Sequence, residues 1–241
     1  MSRPEHQDGP VPVRIWDLPT RLFHWALVLC VCAAVLSAKI GGEAIVWHMR
    51  AGYAVLVLLA FRLVWGVLGG RWSRFRFFFY RPPAVWRYLR RRPAPGEYFD
   101  IGHNPLGSLS VLLMLAWLLL QVGSGLIADD EVAYMGPLIR FVSGDTSLAW
   151  TAHHRSLGQW GLFAMVGLHV LAVAWHSLRG KSAKSGKPES GGLVRAMLSG
   201  DKPLPPQTPA SRDTRATRLL ALIVLLICIG VVAWLVGLEA P

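Results

Sequence analysis

The chain has 241 residues, 53% of them hydrophobic and only 16% charged, with a formal net charge of +11. That balance belongs to a membrane protein and excludes a disordered chain or a small disulfide scaffold. The positive charge is gathered in loops, where anionic headgroups account for it, and no RNA- or DNA-binding motif accompanies it, so nucleic acid is not an expected partner.

Residues 1–12 read as a polar tail. The start, MSRPEHQDGPVPVR, is not a signal peptide, because the apolar run after it ends without a small-residue cleavage site. Five apolar runs follow, at about 19–38, 46–68, 105–128, 154–178 and 218–238. Each meets the roughly 20 helical residues needed to cross a hydrocarbon core of about 30 Å. Asp17 ahead of Pro19, and Asn104 ahead of Pro105, supply start signals for the first and third spans.

The second-to-third connection carries Arg71, Arg74, Arg76, Arg81, Arg87, Arg90, Arg91 and Arg92. The fourth-to-fifth carries Arg179, Lys181, Lys184, Lys187, Arg195, Lys202, Arg212 and Arg215. Asp129, Asp130, Glu131 and Asp145 dominate the third-to-fourth connection, and the first-to-second turn has only Lys39 and Glu43. Lys/Arg-rich loops stay in the cytoplasm, which places the N-terminus there and the C-terminus on the far, periplasmic side. Residues 180–217, rich in Lys, Ser, Gly and Pro, read as a cytoplasmic tether. Within it, residues 193–198 form a short amphipathic piece suited to the membrane surface. Cys30, Cys32 and Cys228 lie inside spans without a CxxC or CxxCH pattern and read as small core residues.

The histidines carry the chemistry. An ionisable side chain at membrane depth is costly and marks a functional site by default. His24 lies near the cytoplasmic end of the first span and His48 opens the second at the far end. On the fourth span, His154 lies near the far end and His169 near the cytoplasmic end, about 22 Å apart along a helix and within about 60° of one face. One helix thus offers a ligand to each of two stacked centres, completed by His24 on one side and His48 on the other. His153 competes with His154, but a sixteen-residue step rotates it about 100° further away from His169. Two imidazoles without a carboxylate or thiolate do not make a structural zinc site. They do suit the two axial positions of haem iron in a helical bundle, which favours electron transfer over oxygen chemistry. Gly52, Gly158, Gly161 and Gly167 would let a flat macrocycle approach the backbones, and Arg50 and Arg62, at the two depths, are candidates for the propionates, with snorkelling to the interface as the alternative. His176, seven residues past His169, falls at the cytoplasmic surface, where a quinone, a propionate or no partner are the alternatives; His103 belongs to the turn before the third span.

At these residues the chain resembles the bacterial cytochrome b561/nickel-hydrogenase b-type cytochrome family. The resemblance rests on Trp16-Asp17-Leu18-Pro19-Thr20-Arg21-Leu22-Phe23-His24-Trp25, His48-Met49-Arg50-Ala51-Gly52-Tyr53 and Phe61-Arg62-Leu63-Val64-Trp65-Gly66. It continues through Gly102-His103-Asn104-Pro105-Leu106-Gly107, Leu168-His169-Val170 and Leu193-Val194-Arg195-Ala196-Met197, covering about residues 13–202. It implies an all-α integral membrane protein of the bacterial inner membrane, with a four-helix transmembrane bundle (residues 13–179) holding two non-covalent b haems. A fifth transmembrane helix, 218–238, lies outside that core. It implies ligation by His24, His48, one of His153 and His154, and His169, with the two ligands of the fourth span fourteen apart, where this chain has fifteen or sixteen. It also implies electron transfer between quinone and a redox partner such as a c-type cytochrome or a hydrogenase-like subunit. Family members that oxidise superoxide and reduce quinone are an alternative, disfavoured by the acidic outer loops. A histidine-using transporter is a further reading, but there is no inverted repeat to support it. A plain membrane anchor would not need histidines at matched depths.

Overall fold

A computed structural model of the chain describes residues 9–92, 94, 99, 101–182 and 192–238. His6 lies outside them. In chain order the elements are β1 (Val11–Arg14), α1 (Leu18–Ile40), α2 (Ile45–Leu68), α3 (Pro82–Leu89), α4 (Pro105–Leu126), α5 (Gly144–His153), a π-helical turn (His154–Gly158), α6 (Gln159–Ser182), α7 (Leu193–Ser199), β2 (Asp201–Leu204) and α8 (Arg215–Val236). Five helical segments are long and apolar enough to cross a membrane: Leu18–Ile40, Gly42–Leu68, Pro105–Leu126, Gly144–Leu178 and Arg215–Val236.

Capping chemistry sets the starts of these helices. Asp17 accepts from the Thr20 N–H and Asn104 from the Gly107 N–H, each with proline in the first turn. Ser143 and Thr214 do the same for α5 and α8. The fourth span therefore begins ten residues before His154, at Gly144, because α5, the π turn and α6 run on as one rod.

The core holds Phe23 of α1, Val55, Leu59, Phe61 and Trp65 of α2, Leu115 and Leu118 of α4, and Leu162 of α6. From α8 it holds Ala221, Val224 and Cys228, which recur at helical spacing on the face packed against α2. The fifth helix is thus built into the core. Its other faces expose Leu219, Leu222, Leu226, Ile227, Val231 and Trp234, as a lipid-facing surface does.

One end of the bundle is closed by a clasp. β1 pairs antiparallel with β2, Val11 opposite Leu204 and Arg14 opposite Asp201. Gly200, at φ +92°, turns the chain so that its carbonyl accepts from both Ile15 N (2.8 Å) and Trp16 N (3.0 Å). Arg14 binds Asp201 at 2.6 Å and Asp213 at 2.5 Å, and Arg218 reaches Asp213 at 2.9 Å. Ser211 fastens the Ile15 carbonyl at 2.7 Å. The expected tether is corrected over residues 192–214, which are packed and hydrogen-bonded; residues 183–191 lie outside the description. Two strands from segments nearly 190 residues apart leave no local signal in either one.

Beneath the clasp, Asp17 is fully buried and receives four donors. They are Thr20 N at 2.8 Å, Trp65 Nε1 at 3.2 Å, Gly70 N at 2.8 Å and Ser73 Oγ at 3.2 Å. A single carboxylate therefore joins the start of α1 to the end of α2, the segments that carry His24 and Arg62.

Candidate haem sites

At the end of the bundle away from the clasp, α2 presents His48 and the α5–α6 rod presents His154. Their ring centres are 5.9 Å apart and the ring planes nearly perpendicular, at 86°. A metal bonded to two imidazole nitrogens at about 2 Å each needs a spacing of roughly 6 Å between ring centres. His48 Nδ1 lies 2.8 Å from the Ala34 carbonyl of α1. His154 Nδ1 lies 2.9 Å from the Gln121 carbonyl and 3.0 Å from Ser124 Oγ, both of α4. A carbonyl only accepts, so each Nδ1 carries the proton and each Nε2 keeps its lone pair for a metal. Ser124 Oγ in turn donates to the Gln121 carbonyl at 2.8 Å, which sets the hydroxyl to accept from the imidazole. Gly125 lies against the same ring: a Cβ there would stand 3.1 Å from His154 Cε1.

The π turn explains how a fifteen-residue step works. A π turn holds about one residue more than an α turn, so His154 and His169 stand as about fourteen α-helical residues would place them, roughly 40° from alignment. That matches the spacing implied by the family resemblance. His153 faces elsewhere, its ring 5.3 Å from that of Trp150 and 6.4 Å from that of Trp117, with a buried Nε2 that has no hydrogen-bond partner.

At the clasp end, α1 and α6 bring His24 and His169 within electrostatic reach of one another. His24 stands edge-on to Trp25, ring centres 5.0 Å apart, and its buried Nδ1 has no protein partner. Arg62 of α2 is 3% exposed. Its guanidinium lies 4.6 Å from the centre of the Phe75 ring and 5.7 Å from that of Phe78, and its buried Nη1 has no hydrogen-bond partner. A buried cation in this state is costly unless an anion joins it. Arg50, at the other end, is exposed and stacks on Trp47 at 4.9 Å. His176 is exposed.

The glycines divide. At Gly52 and Gly167 an added Cβ would meet nothing within 4 Å, one turn past His48 and two residues before His169. Gly158 and Gly161 are corrected: a Cβ would stand 2.0 Å from Gln121 Oε1 at the first and 2.1 Å from the Trp117 ring at the second. Those two glycines let α4 approach the rod; they do not leave room for a macrocycle. Sequence reasoning also passed over Gln121 and Ser124, although two polar residues three apart in an apolar span were a usable signal. No cluster of three or more His, Cys, Asp or Glu side chains suited to a metal occurs among the described residues. A haem needs only two axial ligands from the chain, and the donor set present fits that group.

Comparison with known proteins agrees. The family model for prokaryotic cytochrome b561 matches residues 15–185. The probable Ni/Fe-hydrogenase 1 B-type cytochrome subunit of Escherichia coli K12 is 26% identical over 216 residues, covering 73% of this chain and 86% of that protein. The probable Ni/Fe-hydrogenase B-type cytochrome subunit of Azotobacter chroococcum is 28% identical over 214 residues, covering 70% and 86%. A shorter part of a much longer protein, the lysylphosphatidylglycerol biosynthesis bifunctional protein LysX of Mycolicibacterium gilvum, is 28% identical over 199 residues, 76% of this chain and 17% of the other. No solved structure matches the chain. With its five apolar helices, the chain belongs to the prokaryotic cytochrome b561 family, as a multi-pass membrane b-type cytochrome of electron transport.

Proposed function

We propose that the chain binds two b haems, one between His48 and His154 and one between His24 and His169, and carries electrons between a membrane quinone and a protein redox partner. The observation that carries the reading is the His48–His154 pair, whose rings stand 5.9 Å apart with each Nδ1 held by a backbone carbonyl. When bound, haem b supplies a one-electron iron couple. The chain's own residues hold the ring orientation, keep Nε2 unprotonated and bury the site. Held by two imidazoles, each haem would supply electron exchange and not oxygen chemistry. Arg62 and Arg50 are the cations assigned to propionates at the two ends. Positive loops assign the clasp end to the cytoplasm and the acidic Asp129–Glu131 loop to the periplasm of a bacterial inner membrane. The relatives are named as hydrogenase cytochrome subunits, which supports a protein partner of that redox class.

The test is haem stoichiometry in detergent-purified protein, by pyridine haemochrome and reduced-minus-oxidised spectra. Two low-spin b haems per chain are expected. His154→Ala should remove one and His153→Ala neither. A colourless wild-type protein, produced with ample haem, would overturn the reading and favour a transporter.

A further inference from the structure

His103 has no role in the ligand pairs, yet the fold encloses it. It sits in the turn before α4, with its ring 4.7 Å from that of Trp16 and 4.7 Å from that of Phe78. Tyr80 donates to its backbone carbonyl at 2.5 Å, which fixes the turn. Its Nδ1 is buried and has no hydrogen-bond partner. The Phe78 ring that flanks His103 also lies 5.7 Å from the Arg62 guanidinium. Two buried, unsatisfied nitrogens, Arg62 Nη1 and His103 Nδ1, thus share one aromatic neighbour, within electrostatic reach of each other and of His24 and His169.

Among the described residues, no carboxylate hydrogen-bonds to either nitrogen. Asp17 is the carboxylate that faces Arg62 electrostatically, and its oxygens already take four donors. Burial, then the charges of Arg62 and Lys202, push His103 down to about 3. The ring is therefore neutral at ordinary pH and offers one N–H donor without adding charge. A guanidinium and a neutral imidazole N–H set against one aromatic ring suit a single carboxylate.

We propose that His103, with Arg62, holds a propionate of the haem at the clasp end, so that the turn before α4 is part of the haem site. This rests on the di-haem reading above. Arg62 supplies the charge; His103 supplies a directional hydrogen bond and acts as a positioning residue.

The experiment uses the full-length, haem-loaded protein. Variants Arg62→Gln, His103→Leu and His103→Gln are compared by redox titration of each haem and by resonance Raman spectra of the propionate bending modes. In His103→Leu the bending modes of one haem should shift and its midpoint potential fall, because a less well held carboxylate favours the oxidised iron. The other haem should be unchanged. Arg62→Gln should do the same to a larger extent. His103→Gln keeps an N–H donor and should restore most of the His103→Leu change. Unchanged propionate modes in His103→Leu, or equal shifts of both haems, would overturn the proposal while leaving two haems per chain intact. A wild-type chain with only one haem, still present in His169→Ala, would instead overturn the di-haem reading and this proposal with it.

Discussion

Replacing Asp17 by alanine should be among the most damaging single changes outside the ligand set. The side chain is fully buried and accepts four hydrogen bonds. Ser73 Oγ keeps a second partner in Thr20 Oγ1 at 2.7 Å, so three donors are stranded: Thr20 N, Gly70 N and Trp65 Nε1. At about 1–3 kcal/mol for each unsatisfied buried donor, with the cap of α1 lost as well, the cost is roughly 3–6 kcal/mol, allowing for incomplete additivity. At about 2–4 °C per kcal/mol for a chain of this size, the apparent Tm in detergent should fall by roughly 6–24 °C. Asp17→Asn keeps one carbonyl oxygen but turns a donor toward donors, so it should recover little. Haem retention at the clasp end should fall with the Tm, since Asp17 joins the segments carrying His24 and Arg62. An Asp17→Ala protein melting within about 2 °C of wild type would refute this accounting.

Ser124→Ala removes one of two acceptors at His154 Nδ1, a loss of about 0.5–1.5 kcal/mol. Haem binding at the far end should weaken about tenfold in a competition titration, with the clasp-end haem unaffected. Gly52→Leu adds a side chain where no protein atom stands within 4 Å of the Cβ position, so the chain should fold and yet lose the far-end haem. Two haems in that variant would show that Gly52 faces lipid. Gly200→Ala combines φ +92° with a Cβ 2.7 Å from the Trp16 carbonyl, and should open the clasp, seen as faster hydrogen exchange in β1 and β2. Acid should open it as well. Burial alone would raise the Asp213 carboxyl, but hydrogen bonds from Arg218, the Leu18 N–H and Arg14 outweigh it and hold it below its ordinary value. A depressed carboxylate stabilises the fold above its unfolded pKa of about 3.9 and loses that contribution as pH falls through the folded value. Exchange protection in β1 that stays constant down into that acid range would contradict the role given to Asp213.

Much of the scaffold was legible because its signals are local. Apolar runs, Asp17 and Asn104 as caps, and the arginine-rich connections each act over a few residues, and five spans appear in the expected order, the fourth starting ten residues early, at Gly144. Counting along those spans sets His48 beside His154, and their rings stand 5.9 Å apart. What stayed hidden depends on distant partners. VPVR is too short to signal a strand of its own, and becomes β1 only against residues 201–204. The π turn depends on how α4 meets the rod through Gln121 and Trp117, whose Nε1 donates to the Gly158 carbonyl at 3.0 Å. His103 looked like a turn residue because it is one; the rings of Trp16 and Phe78 that enclose it come from other parts of the chain.

The clasp also bears on how the protein is made. β1 is synthesised first, but β2 follows only after four membrane spans have emerged. The strand must therefore wait unpaired while those spans are made, and its pairing cannot begin until both helices of each histidine pair have been synthesised. Closure of Arg14 onto Asp201 and Asp213 is then a late, long-range event in assembly, slow by its sequence separation.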